Sequence, residues 1–206
     1  MKNKDYWNKR AALYDEQVKD KYADAYEETI SRSLKYCKES DEVLEIACGT
    51  GIVTLALAER VKHITAVDIS EEMIARLSEK AGGSVQNLTL HCTDISDHLL
   101  DGKRFDVIAA FNILLYLENV DEALERIHSL LKPGGVFLSA TDCVGNIDNE
   151  VAAEKKRRVD KGELSYVGFF TPVELEATIE RAGFKVLESE DVHEGTPNQF
   201  IAAERI

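Results

Sequence analysis

The chain has 206 residues, enough for one domain with a substantial core, and its 44% hydrophobic and 31% charged content is that of an ordinary globular protein. Its formal net charge of −13 repels phosphate backbones, so nucleic acid is not expected as a general partner. No apolar run nears the roughly 20 residues of a membrane span, and the polar start Met1 to Trp7 lacks a signal peptide's apolar stretch.

Residues 5–37 read as helical. Ala11, Ala12, Leu13 and Val18 mark one apolar face; Tyr22, Ala25, Tyr26, Ile30, Ser33, Leu34 and Cys37 mark another. Tyr6, Trp7, Tyr14, Tyr22 and Tyr26 make this segment aromatic, which fits either packing on a sheet or a cover over a site. Val43 to Ile46 reads as a strand. It runs into Ala47-Cys48-Gly49-Thr50-Gly51, a turn where glycine permits unusual backbone angles and close ligand approach, and a helix over Ile52 to Val61 follows. A valine at Gly49 or Gly51 is expected to block a ligand while sparing the fold.

The β/α alternation continues. A second strand spans His63 to Val67 and ends at Asp68. Ser70 caps the next helix, with Glu71 and Glu72 in its first turn, and Ala81-Gly82-Gly83-Ser84 ends it. Leu88 to Cys92 is the third strand, and Asp97 to Lys103 is a loop. Phe105 to Phe111 is almost continuously apolar, as a strand covered on both faces would be. Asn119 and Glu122 have capping-box spacing ahead of a helix to Leu131. Pro133-Gly134-Gly135 turns into a fifth strand, Val136 to Ala140. Asp142 to Lys161 is a charged helical insertion, and its run Lys155-Lys156-Arg157-Arg158 is expected on a solvated face. Thr171-Pro172 opens a capped helix that ends near Gly183. Phe184 to Val192 and Gln199 to Glu204 form a closing hairpin.

The spacing E-x-x-x-G-x-G over Glu45 to Gly51, with Asp68 and Asp94 after the next two strands and Leu130-Leu131-Lys132-Pro133-Gly134-Gly135 ahead of the fifth, resembles the class I S-adenosylmethionine-dependent methyltransferases. The resemblance implies an α/β fold: a doubly wound, seven-stranded, mostly parallel sheet with an antiparallel last strand. It implies a single domain over residues 1–206, with a helical lid at 1–38, a cofactor-binding core at 40–140, and a helical insertion and hairpin at 141–206. The activity implied is methyl transfer from S-adenosyl-L-methionine to a small molecule. Asp68, at a strand end, would hold the ribose diol, with Ile69 on the adenine. Asp94 and the Ile95 backbone would meet the adenine edge. Glu45 would orient the glycine loop or meet the cofactor ammonium, and Asn112 would neighbour the cofactor's tail. Tyr6, Trp7, Tyr14, Tyr116 and Asp142, with Leu115, Tyr166, Phe169 and Phe170, are candidates for the acceptor or for packing.

Methyl transfer needs a general base only for a protonated nucleophile, and none is assigned. His63, His91, His98, His128 and His193 all read as core or surface residues, although the loop of His193 reaches toward the strand ends. Cys37, Cys48, Cys92 and Cys143 lack C-x-x-C spacing, so no metal or redox pair is expected. Cys48 and Cys92 read as buried, and a reducing cytoplasm is expected. Other readings fare worse. No Gly-Lys-Ser/Thr triplet exists, and no tyrosine has lysine four residues on, as a short-chain dehydrogenase requires. No Pro-Pro-Tyr/Phe follows the fourth strand, which argues against amino-methylation of bases. A non-catalytic protein that keeps the cofactor site remains the alternative.

Overall fold

The computed structural model describes residues 2–206. Strands β1 (Glu42–Ile46), β2 (His63–Asp68), β3 (Leu88–Cys92), β4 (Phe105–Phe111), β5 (Leu131–Asp142), β6 (Phe184–Asp191) and β7 (Asn198–Arg205) form one sheet in the order β3-β2-β1-β4-β5-β7-β6. The first five pair in parallel, and β7 runs antiparallel between β5 and β6. The helices are α1 (Lys2–Arg10), α2 (Tyr14–Lys21), α3 (Ala23–Leu34), α4 (Ile52–Ala58), α5 (Glu71–Ala81), α6 (Val120–Leu130), α7 (Glu150–Asp160) and α8 (Pro172–Arg181). The sheet is doubly wound, as the resemblance implies.

Side-chain alternation divides the core into two layers. Val107 and Ala109 of β4 face a cluster with Val53 and Leu57 of α4 and Leu77 of α5. Ile108 and Ala110 face the other side, where Leu124 and Ile127 of α6 and Leu175 and Ile179 of α8 pack. The central strand β4, covered on both faces, is therefore apolar at every position but Asp106. A third, smaller cluster joins Leu115 and Tyr116 after β4 to Leu164 and Val167 beyond α7, with Tyr6 and Trp7 of α1 packed on it. That cluster fixes α1 and α7 above the C-terminal edge of the sheet. No helix among the described residues is long and apolar enough to cross a membrane.

Local chemistry explains most boundaries. Ser70 accepts from Met73 N at 3.1 Å and caps α5. Thr171 and Glu174 form the reciprocal capping box at α8. Four expectations need correction. Asn119 makes no side-chain cap at α6; its amide instead turns toward Glu122 Oε2, 3.4 Å away. α4 stops at Ala58, short of Val61. Pro133–Gly135 is a bulge inside β5: the register jumps from Phe105↔Leu131 to Val107↔Val136, and Gly134 takes φ +72°. Cys92 is exposed, at the end of the edge strand β3, its Sγ 3.6 Å from Ile69 O.

The two glycines of the first loop also differ. A Cβ on Gly49 would meet nothing within 4 Å, whereas one on Gly51 would stand 2.1 Å from Leu77 Cδ1 in the core. Gly51 thus serves helix packing, so its substitution does not spare the fold. Both have positive φ, which costs a side chain about 1–2 kcal/mol. Gly51→Ala adds overpacking against fully buried Leu77, about 1–3 kcal/mol more. Thermal unfolding is expected to show Gly51→Ala markedly less stable than Gly49→Ala; equal midpoints would mean that Leu77 repacks freely.

Candidate active site

A cavity of about 470 Å³ opens at the C-terminal ends of β1, β2, β4 and β5, beneath α1–α3 and beside α7. Such a position, outside the carboxyl ends of parallel strands, is where open α/β sheets bind ligands. Its floor is the loop between β1 and α4. Ala47 (φ +55°), Gly49 (+55°) and Gly51 (+82°) alternate into left-handed backbone there, and Cys48 N donates to Val67 O at 3.1 Å. Asp68 ties this loop to the next one. Its Oδ2 accepts from Gly49 N at 2.9 Å and its Oδ1 from Ser70 N at 2.8 Å. Ser70 is the α5 cap, so Asp68 is not one. Burial pushes the Asp68 carboxyl above its usual range, against the pull of the two amides.

Glu45 lies behind the loop rather than on the cavity wall. It lines a separate space of about 30 Å³ with Tyr14, Tyr26, Gly49 and Phe111. Its Oε2 is buried with no hydrogen-bond partner among the described residues. Burial, with Asp68 nearby, pushes its pKa up to about 8.

Ile69, Asp94 and Ile95 reach the wall from the ends of β2 and β3. Asp94 is exposed at the rim, its Oδ1 accepting from Ser96 N at 2.8 Å and Ser96 Oγ at 2.5 Å. Asn112 ends β4 in left-handed backbone (φ +53°) and donates its N–H to Ala140 O at 2.6 Å. Its Oδ1 accepts from Asn198 Nδ2 at 2.8 Å, and the same amide reaches Asp142 Oδ1 at 2.7 Å. Asp142 Oδ2 pairs with Lys155 Nζ at 2.8 Å, and Lys155 also reaches the Tyr116 hydroxyl at 3.3 Å. These contacts hold the Lys155 ammonium firmly protonated despite its burial.

Trp7, Tyr14 and Tyr116 line the roof. Trp7 meets Tyr116 and Tyr14 edge-on at 5.5 and 6.3 Å. The Tyr14 and Tyr26 hydroxyls bond at 2.9 Å, and burial raises the Tyr14 phenol well above its ordinary range. Tyr6 stands behind this wall and bonds Arg158. Gly51, Leu115, Tyr166, Phe169 and Phe170 do not line the cavity; Leu115 is buried in the third cluster and Phe169 is exposed.

Arg10, Lys155, Arg158 and Asn198 also line the wall without being candidates from the sequence, and His193, whose loop reaches toward the strand ends, joins them. Lys155 and Arg158 are three apart on α7, and both turn inward while Arg157 pairs outward with Glu150 and Glu154. That spacing within the basic run was the available signal. His193 lines the cavity beside Tyr22, rings 5.4 Å apart, with Nδ1 buried and unpartnered among the described residues. It is therefore not the surface histidine expected.

Residues 14–189 match the family model described as a methyltransferase domain. The chain is similar to a ubiquinone biosynthesis O-methyltransferase of Coxiella burnetii, 28% identical over 169 residues that cover 78% of this chain and 72% of that protein. It is similar to a malonyl-(acyl-carrier protein) O-methyltransferase of Bacillus cereus, 34% identical over 130 residues, 59% of this chain and 47% of that one. Its fold is similar to that of the N-methyltransferase NodS of Bradyrhizobium japonicum, solved in complex with S-adenosyl-L-homocysteine: TM-score 0.71 at 18% identity, covering 92% and 90% of the two chains.

Glu45 gives the ligand-free protein a signed pH dependence. In the unfolded chain its carboxyl ionises near pH 4, whereas the folded chain keeps the proton to about 8. The folded state binds more protons between these values, so the stabilisation is full at low pH and is lost as pH rises through 8. Asp68 adds to it with the same sign. Glu45→Gln mimics the neutral acid and is expected to raise the thermal midpoint at pH 9 by roughly 5–10 °C, flattening the decline between about pH 4 and 8. A decline unchanged in this variant would assign it to other groups.

Proposed function

This chain belongs to the methyltransferase domain family as an S-adenosylmethionine-dependent enzyme, and from that premise we propose that its cavity seats S-adenosyl-L-methionine over β1–β3 and a small-molecule acceptor beneath α1 and α7. The convergence of the glycine loop, Asp68 and Asp94 on one cavity carries this reading.

The residues fit the group. Gly49 offers bare left-handed backbone, since a Cβ there would project into open space. Asp68 spends one hydrogen bond per oxygen on the backbone, which leaves acceptor capacity for a diol. Ile69 supplies an apolar face for the adenine, and Asp94 with the Ile95 backbone supplies a polar edge. Asn112 and the end of β4 neighbour the amino-acid tail. The unpartnered Glu45 oxygen, behind the loop, matches an ammonium through water. When bound, the cofactor supplies a methyl group already activated by its sulfonium centre.

The protein's own share is then positioning and exclusion of water. Residues 1–38 act as a lid, with Trp7 and Tyr14 closing the cavity from above. Tyr116 and Asp142 face the acceptor. His193 is the cavity-wall histidine available to take a proton from a protonated nucleophile. The free cysteines fit a reducing cytoplasm, and the acidic surface fits a small acceptor rather than nucleic acid.

Calorimetric titration is expected to show binding of S-adenosylmethionine and S-adenosylhomocysteine and none of NAD; binding of NAD alone would falsify the assignment. Asp68→Ala removes two charge-assisted hydrogen bonds to a diol, roughly 3 kcal/mol or a hundredfold in affinity. Asp68→Asn is expected to be nearly as harmful, because its NH₂ would face the Gly49 or Ser70 N–H where an acceptor is needed. Unchanged affinity in Asp68→Ala, with only a lowered midpoint, would leave Asp68 a loop tie alone.

A further inference from the structure

We propose that the acceptor carries an oxyanion, a carboxylate or a phosphate, and that Arg10 and Arg158 receive it. This rests on the functional reading above and names the substrate class for the acceptor half of the cavity.

The chain is acidic overall, at −13. Yet the side chains of Arg10, Lys21, Lys155 and Arg158 reach its cavity, against the carboxylates of Asp68, Asp94 and Asp142. The charges are segregated. Asp68 and Asp94 stand at the ends of β2 and β3, whereas the cations come from α1, α2 and α7. Asp142 is taken up by Lys155 at 2.8 Å. Arg158 has only a share of Glu154, which also pairs with Arg157, so the acceptor half keeps a net positive charge on Arg10 and Arg158.

Neither guanidinium is fully satisfied by the protein. No carboxylate pairs with Arg10 among the described residues. Its Nη2 donates to the neutral Gln17 Oε1 at 2.6 Å, and its Nε is buried without an acceptor. Arg158 gives Nε to Glu154 at 2.9 Å and Nη1 to the Tyr6 phenol. Both guanidinium carbons stand over the same Tyr6 ring, 5.3 and 5.6 Å from its centroid. Two like charges held on one ring repel, and a buried donor without an acceptor is costly. An arriving oxyanion relieves both, through the forked charge-assisted bonds that guanidinium groups make. Trp7 and Tyr116 line the same end, so a flat or ring-bearing body suits the rest of the acceptor.

The test is calorimetric titration with benzoate, phenyl phosphate and neutral benzamide, with and without saturating S-adenosylhomocysteine. At least one anion is expected to bind tenfold or more tighter than benzamide, and the two anionic arms tell carboxylate from phosphate. Arg158→Gln is expected to erase that preference. Arg157→Gln, on the outward side of α7, is expected to leave it intact. If the Gln variant has a lowered thermal midpoint, Arg158→Lys, which keeps the charge but loses the fork, is expected to bind the anion at least threefold more weakly. Three results overturn the proposal: benzamide binding as tightly as the anions, a preference that survives in folded Arg158 variants, or an Arg10→Gln variant that loses S-adenosylhomocysteine affinity while keeping the anion preference. In the last case Arg10 serves the cofactor's own carboxylate. Anion preference without S-adenosylhomocysteine binding would sink the cofactor reading alone and leave this inference standing.

Discussion

The site depends on one buried carboxylate. Asp68 ends β2, and each of its oxygens takes a backbone N–H from a different loop: Gly49 after β1 and Ser70 before α5. Unpaired, a carboxylate at this depth would be strongly disfavoured. Paired to two amides, it fixes two adjacent βα turns relative to each other at the mouth of the sheet. The cap at Ser70, the left-handed glycine loop and the packing of Gly51 on Leu77 all meet at this junction. A change at Asp68 therefore alters the shape of the floor as well as the chemistry offered there.

The backbone around it is under tension. Ala47 and Asn112 hold positive φ without being glycine, a conformation that costs on the order of 1–2 kcal/mol each. Both occur where parallel strands β1 and β4 end, side by side in the sheet. Asn112 is held there by its bond to Ala140 O and by the Asn198 amide, so β7 helps shape a turn that β4 begins. The antiparallel last strand thus reaches the site as well as closing the sheet.

Most of the frame was legible because its signals are local. Periodicity located the strands, Ser70 and Thr171 announced their helices, and the glycine loop announced itself by spacing. What escaped is non-local. Arg10 of α1, Lys155 and Arg158 of α7 and His193 after β6 come from three distant parts of the chain and meet over a cavity that only the topology creates. A basic run reads as a solvated face, and half of it is one: Arg157 faces the acidic side chains of its own helix. Lys155 turns inward because Asp142, thirteen residues earlier at the end of β5, waits for it. Cys92 was misjudged for the opposite reason, since it ends an edge strand, which has a neighbour on one side only. Asn119 shows that capping spacing permits a cap without compelling one.

The roof has a mechanical consequence. On the α5 side α1 is fastened by polar contacts: Lys4 to Glu71 at 2.6 Å and the Asn8 carboxamide to Ser70 Oγ at 2.6 Å. Toward α7 it is held by Arg158 on Tyr6 and by Asn3 Oδ1 accepting from Ser165 Oγ at 2.8 Å. Clasps of this kind, largely at the surface, are individually weak, about 0–1 kcal/mol for an exposed pair. The short 3₁₀ turn Ala11–Leu13 follows as a natural elbow. If the proposed lid opens, it parts these surface clasps and also lifts Tyr6 and Trp7 off the apolar cluster around Leu115 and Tyr116, so traffic through the mouth is governed by that small core and not by the clasps alone.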